Sequence, residues 1–209
     1  MVVIGLTGGS GVGKGFVSGL FLQRGIPALD TDKVSRTVCE KGSPCLNELV
    51  SVFGEEILLP DGSYHRKKMG EIVYSDPAKR AVLNEISHRY ILAACRQWLA
   101  EKEKEGFEAA IIDAPLLYES GFDKECDVIV AVAASRETRI ARITGRDGIS
   151  EETAGKRIDA QLDTAFYLLN GAYMIYNQKN TTREALLSDI DRILNAIGAA
   201  DGCKEKREK

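Results

Sequence analysis

The chain is poor in the residues that staple or metallate small proteins. Among its 209 residues are five cysteines, two histidines and one tryptophan. Cys39, Cys45, Cys95, Cys126 and Cys203 never form a C-x-x-C pair, so zinc-type spacing is absent and reduced thiols are expected. His65 and His88 are too isolated in sequence to suggest a metal pair or a triad, and each reads as a surface or packing histidine. No apolar run approaches the roughly 20 residues that span a bilayer. The N-terminus enters strand and loop directly, without a signal-peptide pattern, so a cytoplasmic protein with no membrane partner is expected. Positive charge is not in excess. The 28 Lys and Arg face 31 Asp and Glu, a net charge of −3 that argues against a broad nucleic-acid footprint. Internal repeats and low-complexity linkers are also missing. With 44% apolar side chains, the chain can bury one sizeable core.

What is present begins at Gly8-Gly9-Ser10-Gly11-Val12-Gly13-Lys14-Gly15, between the apolar run Val2–Leu6 and the helical pattern Phe16, Val17, Leu20, Phe21. It reads as strand, phosphate loop, helix. Glycines let the backbone curl so that successive N–H groups point at one anion, and the positive end of the helix faces the same point. Lys14 adds a full charge for the β- and γ-phosphates. The pattern G-x-x-x-x-G-K predicts nucleoside triphosphate binding by Gly9, Ser10, Gly11, Val12, Gly13, Lys14, Gly15 and Phe16. The motif ordinarily continues with Ser or Thr as a magnesium ligand. Here that position is Gly15, so direct ligation from it is lost and a water is expected in its place.

A second strand over Ile26–Leu29 delivers Asp30-Thr31-Asp32 to the C-terminal edge, where open parallel sheets bind ligands. On an extended segment the two carboxylates point to opposite sides; the alternative is that one of them caps the next helix. From Val34 to about Lys104 the pattern is mostly helical, broken at Gly42-Ser43-Pro44, Gly54 and Pro60-Asp61-Gly62. This length exceeds a simple crossover and reads as a substrate-binding insertion. Its basic run His65-Arg66-Lys67-Lys68 either grips phosphate or is a solvated face. Ala109–Asp113 is a third strand whose terminal Asp113 either serves a magnesium site or caps a loop. Val128–Val132 is a fourth strand.

Ser135 then starts a helix with Arg139, Arg142 and Arg146, and Ser150 starts another carrying Arg157, with Gln161 near its end. Arginines around the break at Asp147-Gly148 suit a lid over a triphosphate; surface ion pairs with Glu137, Glu151 and Glu152 are the competing account. Tyr173–Tyr176 forms a fifth strand ending at Asn177. Thr181 with Glu184 reads as a capping box for a last helix whose Ala185, Leu186, Ile190, Ile193, Leu194 and Ile197 face the core. The charged end from Asp201 is expected to be a disordered tail.

These motifs together resemble the dephospho-CoA kinase family. The resemblance runs over nearly the whole chain: Gly5 through Lys14, Asp30-x-Asp32 with Arg36, Pro60-Asp61-Gly62 leading to Arg66, and Leu83-Asn84 with His88. It continues through Pro115-Leu116-Leu117-Tyr118-Glu119, Arg142 with Arg146, Arg157 with Gln161, and Asn177. It implies a three-layer α/β phosphate-loop kinase that uses ATP and Mg²⁺ to phosphorylate the ribose 3′-hydroxyl of dephospho-CoA, as a monomer or weak homo-oligomer. By the same resemblance Asp32, Lys14 and Arg142 are catalytic. Arg142, Arg146 and Asn177 join the loop in binding ATP. Asp32, Arg36, Arg66, His88, Pro115, Leu116, Leu117, Glu119, Arg157 and Gln161 bind the acceptor, and Asp32 and Asp113 serve the metal, Asp113 through water.

The implied organisation is one kinase domain over 1–200, with a core (1–33, 107–138, 170–198), an insertion at about 34–106 and a lid at about 139–169. The sequence departs from the family at Gly15, at Arg89 after His88, at Thr164-Ala165-Phe166 and at Tyr173 after Ala172. Two alternatives follow from these departures: a kinase for another nucleotide-like alcohol, and an ATP- or CoA-binding paralogue without turnover.

Overall fold

A computed structural model describes residues 1–199 of the chain. The charged tail expected over 201–209 lies outside the described residues. In chain order the elements are β1 (Val2–Thr7), α1 (Lys14–Gln23), β2 (Ala28–Asp30), α2 (Thr31–Thr37), α3 (Pro44–Phe53), α4 (Arg66–Tyr74) and α5 (Pro77–Lys104). They continue with β3 (Ala109–Asp113), β4 (Val128–Ala133), α6 (Arg136–Asp147), α7 (Glu151–Asp159), α8 (Thr164–Leu169), β5 (Tyr173–Tyr176) and α9 (Arg183–Ala196). The chain divides into two compact units, one of Met1–Leu29 with the chain from Leu99 onward, the other of Asp30–Trp98.

The first unit is built on a five-stranded parallel sheet in the order β2-β3-β1-β4-β5. β1 lies centrally, and its neighbours β3 and β4 come from later in the chain, so its C-terminal edge is the topological switch point where ligands sit. Register carries the chemistry to that edge. Leu6 of β1 lies opposite Asp113 of β3, which puts the acid beside the start of the phosphate loop. β3 is buried along its whole length, as its unbroken apolar run requires of a strand covered on both faces.

Helical spacing in α1 and α9 explains one of those faces. Val17, Leu20 and Phe21 from α1, and Leu186, Ile190, Ile193 and Leu194 from α9, pack with Ile4, Leu6, Val130, Val132 and Ile175 of the sheet. Ile4 and Leu6 are two apart on β1 and so share this face. Truncating fully buried Phe21 to alanine would cost about 3–5 kcal/mol. α6 and α7 start at caps legible in sequence: Ser135 accepts from the Thr138 N–H and Ser150 from the Thr153 N–H. Between them Ile143, Ala154 and Ile158 form a small core of their own.

Four local expectations are corrected. Asp30-Thr31-Asp32 is not extended, because α2 begins at Thr31 and the Asp30 carboxylate caps it, accepting from Asp32 N (2.9 Å) and Lys33 N (3.3 Å). The last helix is capped by Thr182, not Thr181. The Thr181 hydroxyl is already engaged in the preceding turn, accepting from Gln178 N at 2.8 Å and donating to Tyr176 O at 3.2 Å. Ala185 of the expected core stripe is exposed. Finally, α8 is a helix not foreseen in the sequence, capped by Asp163, which accepts from Phe166 N at 2.8 Å.

The second unit is helical and has its own core of Cys39, Cys45, Leu49, Ile57, Met69 and Ile86. The Cys39 and Cys45 sulfurs touch at 3.5 Å within it as free thiols, and burial pushes the Cys45 thiol up to about 12. Pro60-Asp61-Gly62 closes a short hairpin bridged from Leu58 to Tyr64. Arg89 is committed to structure: it pairs with Glu48 of α3, which also accepts from the Tyr90 hydroxyl at 2.7 Å.

Candidate active site

The phosphate loop enters α1 through Gly13, whose φ of 85° is the left-handed conformation that a side chain would resist. Helix bonding begins at once, with Phe16 N and Val17 N both donating to Gly13 O (3.1 and 3.2 Å). Among the described residues no acceptor takes the N–H of Gly11, Gly13, Lys14 or Gly15. Unclaimed amides at the positive end of a ten-residue helix form an anion site.

Lys14 donates its ammonium to Asp113, an ion pair of which little is exposed. An ammonium so placed can pass to a phosphate oxygen and leave the carboxylate to other work. Val12 O is held by Asn177 Nδ2 at 2.9 Å. Asn177 reaches it because β5 continues β4 at this edge, with Asn177 N donating to Ala133 O at 2.8 Å.

Two arginines of α6, three residues apart and so on one helix face, turn to the loop. Arg142 Nη1 donates to Gly11 O, Val12 O and Asn177 O at 3.0–3.2 Å, and its Nη2 lies 3.4 Å from Asn177 Oδ1 and Gln178 O. Arg139 Nε donates to Ser10 O (2.8 Å) and its Nη2 to Gln161 Oε1 (2.8 Å), which also accepts from Ser10 N (2.9 Å). Burial pushes the Arg139 guanidinium below its ordinary pKa. Sequence reasoning counted Arg139 of α6 among the arginines suited to a lid but not among the site residues; its contact with Ser10 arises only from tertiary packing.

Arg146 and Arg157 are gathered elsewhere. Both pair with Asp147, at 2.7 and 2.5 Å, and first Arg146 and then Arg157 hold its carboxyl down to about 2. The carboxylates expected to pair with the arginines, Glu137, Glu151 and Glu152, are replaced by Asp147 for these two and by Asp159 for Arg136.

In the loop after β3, Thr7 Oγ1 donates to Pro115 O at 3.4 Å. Leu116 and Glu119 are exposed, whereas Leu117 is fully buried. Tyr118 stacks edge-on against Phe166 of α8 at 5.0 Å, and its buried hydroxyl has no hydrogen-bond partner among the described residues. Phe16 is half exposed in the first turn of α1, and a side chain built on Gly15 would meet open space.

In the second unit, Asp32 and Arg36 lie four apart on one face of α2, both exposed. Asp30 is committed to its cap, while the Asp32 carboxylate takes no partner among the described residues. Arg66 opens α4, donates Nη2 to Ser35 O at 3.0 Å and lies over the Tyr64 ring. His88, half-buried in α5, has its pKa lowered by burial. No group of three or more His, Cys, Asp or Glu among the described residues could hold a metal by itself, and no described helix is long and apolar enough to cross a membrane.

A parallel sheet whose central strand runs through a lysine-bearing phosphate loop into a helix, with an acid on the adjacent strand, defines a phosphate-loop nucleotide-binding fold. Solved structures share that fold. A Thermus thermophilus protein superposes with TM-score 0.76 at 26% identity, covering 94% of this chain and 97% of that one. The shikimate kinase of Bacteroides thetaiotaomicron shares the fold at 0.51 and 16%, covering 94% and 98%.

Within that class the chain belongs to the dephospho-CoA kinase family, whose model matches residues 2–183. It is 43% identical over 162 residues to the dephospho-CoA kinase of Arabidopsis thaliana, covering 78% of this chain and 70% of that protein. The enzyme of Anaeromyxobacter dehalogenans is 37% identical over 202 residues, covering 97% and 95%.

Proposed function

We propose that the protein transfers the γ-phosphoryl group of ATP to the ribose 3′-hydroxyl of dephospho-CoA, giving CoA and ADP. The observation that carries the nucleotide half is the phosphate loop, with four unclaimed N–H groups and the Lys14 ammonium beside it. Membership of the family over residues 2–183 supports the choice of acceptor.

Phosphoryl transfer asks for positioning and charge neutralisation rather than covalent catalysis. The loop amides hold the β-phosphate, and Lys14 moves from Asp113 to a phosphate oxygen. Asp32 accepts the proton of the 3′-hydroxyl as its oxygen bonds to the γ-phosphorus; the bond to the bridging β–γ oxygen breaks and ADP leaves. Asp32 is favoured over Asp30 because the Asp30 carboxylate is occupied by its cap. Arg36, Arg66 and His88 of the second unit are assigned to the acceptor; in the first unit so is the 115–119 loop, where Leu116 and Glu119 are exposed and Leu117 is buried.

The residues at the loop suit a magnesium ion held chiefly by phosphate oxygens and waters. Asp113 is the carboxylate available to order one of those waters once Lys14 has moved, and the open space at Gly15 leaves room for another. When bound, the ion neutralises charge between the β- and γ-phosphates. Residues 139–169 act as the lid, with Arg142 neutralising charge beside the loop, Arg146 supporting ATP and Arg157 and Gln161 supporting the acceptor.

An acceptor screen tests this reading. Purified protein with ATP and magnesium, offered dephospho-CoA and nucleotides with a free 3′-hydroxyl, is expected to convert dephospho-CoA alone at an appreciable rate. Faster phosphorylation of another alcohol would replace the acceptor, and ATP binding without ADP release would replace the enzyme by a sensor.

A further inference from the structure

Arg139 occupies a position that neither loop motif nor ion pairing explains. Its Nε donates to Ser10 O and its Nη2 to Gln161 Oε1, both at 2.8 Å. The same Gln161 oxygen accepts from Ser10 N at 2.9 Å, and Gln161 Nε2 lies 3.4 Å from Ser10 Oγ. Every polar group of Ser10 is therefore held by two side chains that stand 129 and 151 residues away in sequence. The clasp also closes over Gly9: a Cβ there would lie 2.8 Å from Gln161 Oε1, so a larger residue would have to displace the clasp.

Charge makes the arrangement more than a loop tie. Arg139 has no carboxylate within ion-pair distance among the described residues; Asp159, which pairs with Arg136, acts on it only from beyond that distance. Its hydrogen-bond partners are all neutral, and Nη1 takes none. Half-burial lowers its pKa, a cost that its two neutral acceptors offset only in part. A polyphosphate on the adjacent amides would supply the missing counter-charge. The outer side of the clasp opens on a cleft of about 530 Å³ lined by Arg136, Arg139, Asp159, Gln161 and Phe166, so it is not sealed under other structure.

We propose that Arg139 is a positioning residue of the nucleotide site, fixing Ser10 directly and through Gln161 while keeping a charge without an ion-pair partner among the described residues against the phosphate loop. It sets affinity for the nucleotide's polyphosphate and leaves acceptor affinity unchanged. The proposal rests on the reading of the loop as the ATP site and is independent of which alcohol receives the phosphoryl group.

The test is direct titration of the full chain with ADP and with inorganic tripolyphosphate, for the native protein, Arg139→Gln and Arg139→Lys, with steady-state kinetics alongside. For Arg139→Gln the dissociation constants of both ligands are expected to rise roughly tenfold, the loss of one charge-assisted contact. The KM for ATP rises in parallel, while the acceptor KM and kcat stay within about threefold. Arg139→Lys, which keeps the charge but loses the fork, falls between Arg139→Gln and native. Higher salt narrows the gap between native and Arg139→Gln. If Arg139→Gln melts too low to titrate, Arg139→Lys, which keeps the charge but loses the fork, gives the same comparison. Dissociation constants within twofold of native for the variants, or a shift in acceptor KM alone, would overturn the proposal. Failure to make CoA with the ADP response intact would instead overturn the acceptor assignment.

Discussion

Replacing Gly15 by serine tests the most unusual residue of the site on two independent scales. A Cβ at this position meets nothing within 4 Å, and the residue sits second in α1, where a right-handed helical backbone suits any residue. Serine is about 0.5 kcal/mol better than glycine inside a helix. For a chain of this size that raises the melting temperature by roughly 1–2 °C. The hydroxyl also restores the metal ligand that phosphate loops ordinarily carry here. One contact to a charged group contributes on the order of 1–3 kcal/mol, so the magnesium concentration for half-maximal rate should fall about fivefold or more, or kcat rise by a similar factor. Thermal melts and a magnesium titration of ADP release read the two effects separately. A lower melting temperature would refute the open space at position 15. A higher one with unchanged magnesium dependence would refute the idea that this position faces the metal.

Tyr118→Phe removes a buried hydroxyl that has no partner among the described residues, so chemical denaturation should show a gain of about 1 kcal/mol; a loss would mean the hydroxyl is satisfied. Asp30→Ala deletes the cap of α2 and should cost about 1 kcal/mol, with Asp30→Ser restoring most of it; equal stability of all three would contradict the capping role. Asp147 has a folded pKa of about 2, below the unfolded carboxylate value. Its links to Arg146 and Arg157 therefore stabilise the fold above about pH 4 and fade as pH falls through 2. The stability difference between native protein and Asp147→Asn should follow that window, and a difference constant down to pH 2 would contradict it.

What the sequence disclosed was what is local in it. The loop from Gly8 to Gly15 is contiguous, and Ala109–Asp113 and Tyr173–Tyr176 were bounded correctly because apolar runs end there in an acid and an amide. Ser135 and Ser150 were legible as caps for the same reason. Errors arose where two adjacent residues offered the same chemistry. Thr181 and Thr182 both carry a hydroxyl, and only the turn after β5 decides which one caps α9. Asp30-Thr31-Asp32 was read either as extended or as holding a cap for the next helix, and the cap holds for Asp30, with α2 starting at Thr31. α8 has six residues, too few for a periodic pattern, although Asp163 three before Phe166 was a readable cap. The clasp on Ser10 was beyond reach, since Arg139 and Gln161 meet it only through tertiary packing of α6 and the end of α7 on the loop.

The central claim is that this chain makes CoA from dephospho-CoA with Asp32 as the base. The most direct measurement is product formation, identified by mass, from ATP, magnesium and dephospho-CoA by the native protein and by Asp32→Asn. The account predicts CoA and ADP in equal amounts from the native protein, with kcat at least a hundredfold lower in the variant and ADP affinity unchanged. CoA formation at a similar rate by both proteins would contradict the base assignment, and no CoA from the native protein would contradict the function.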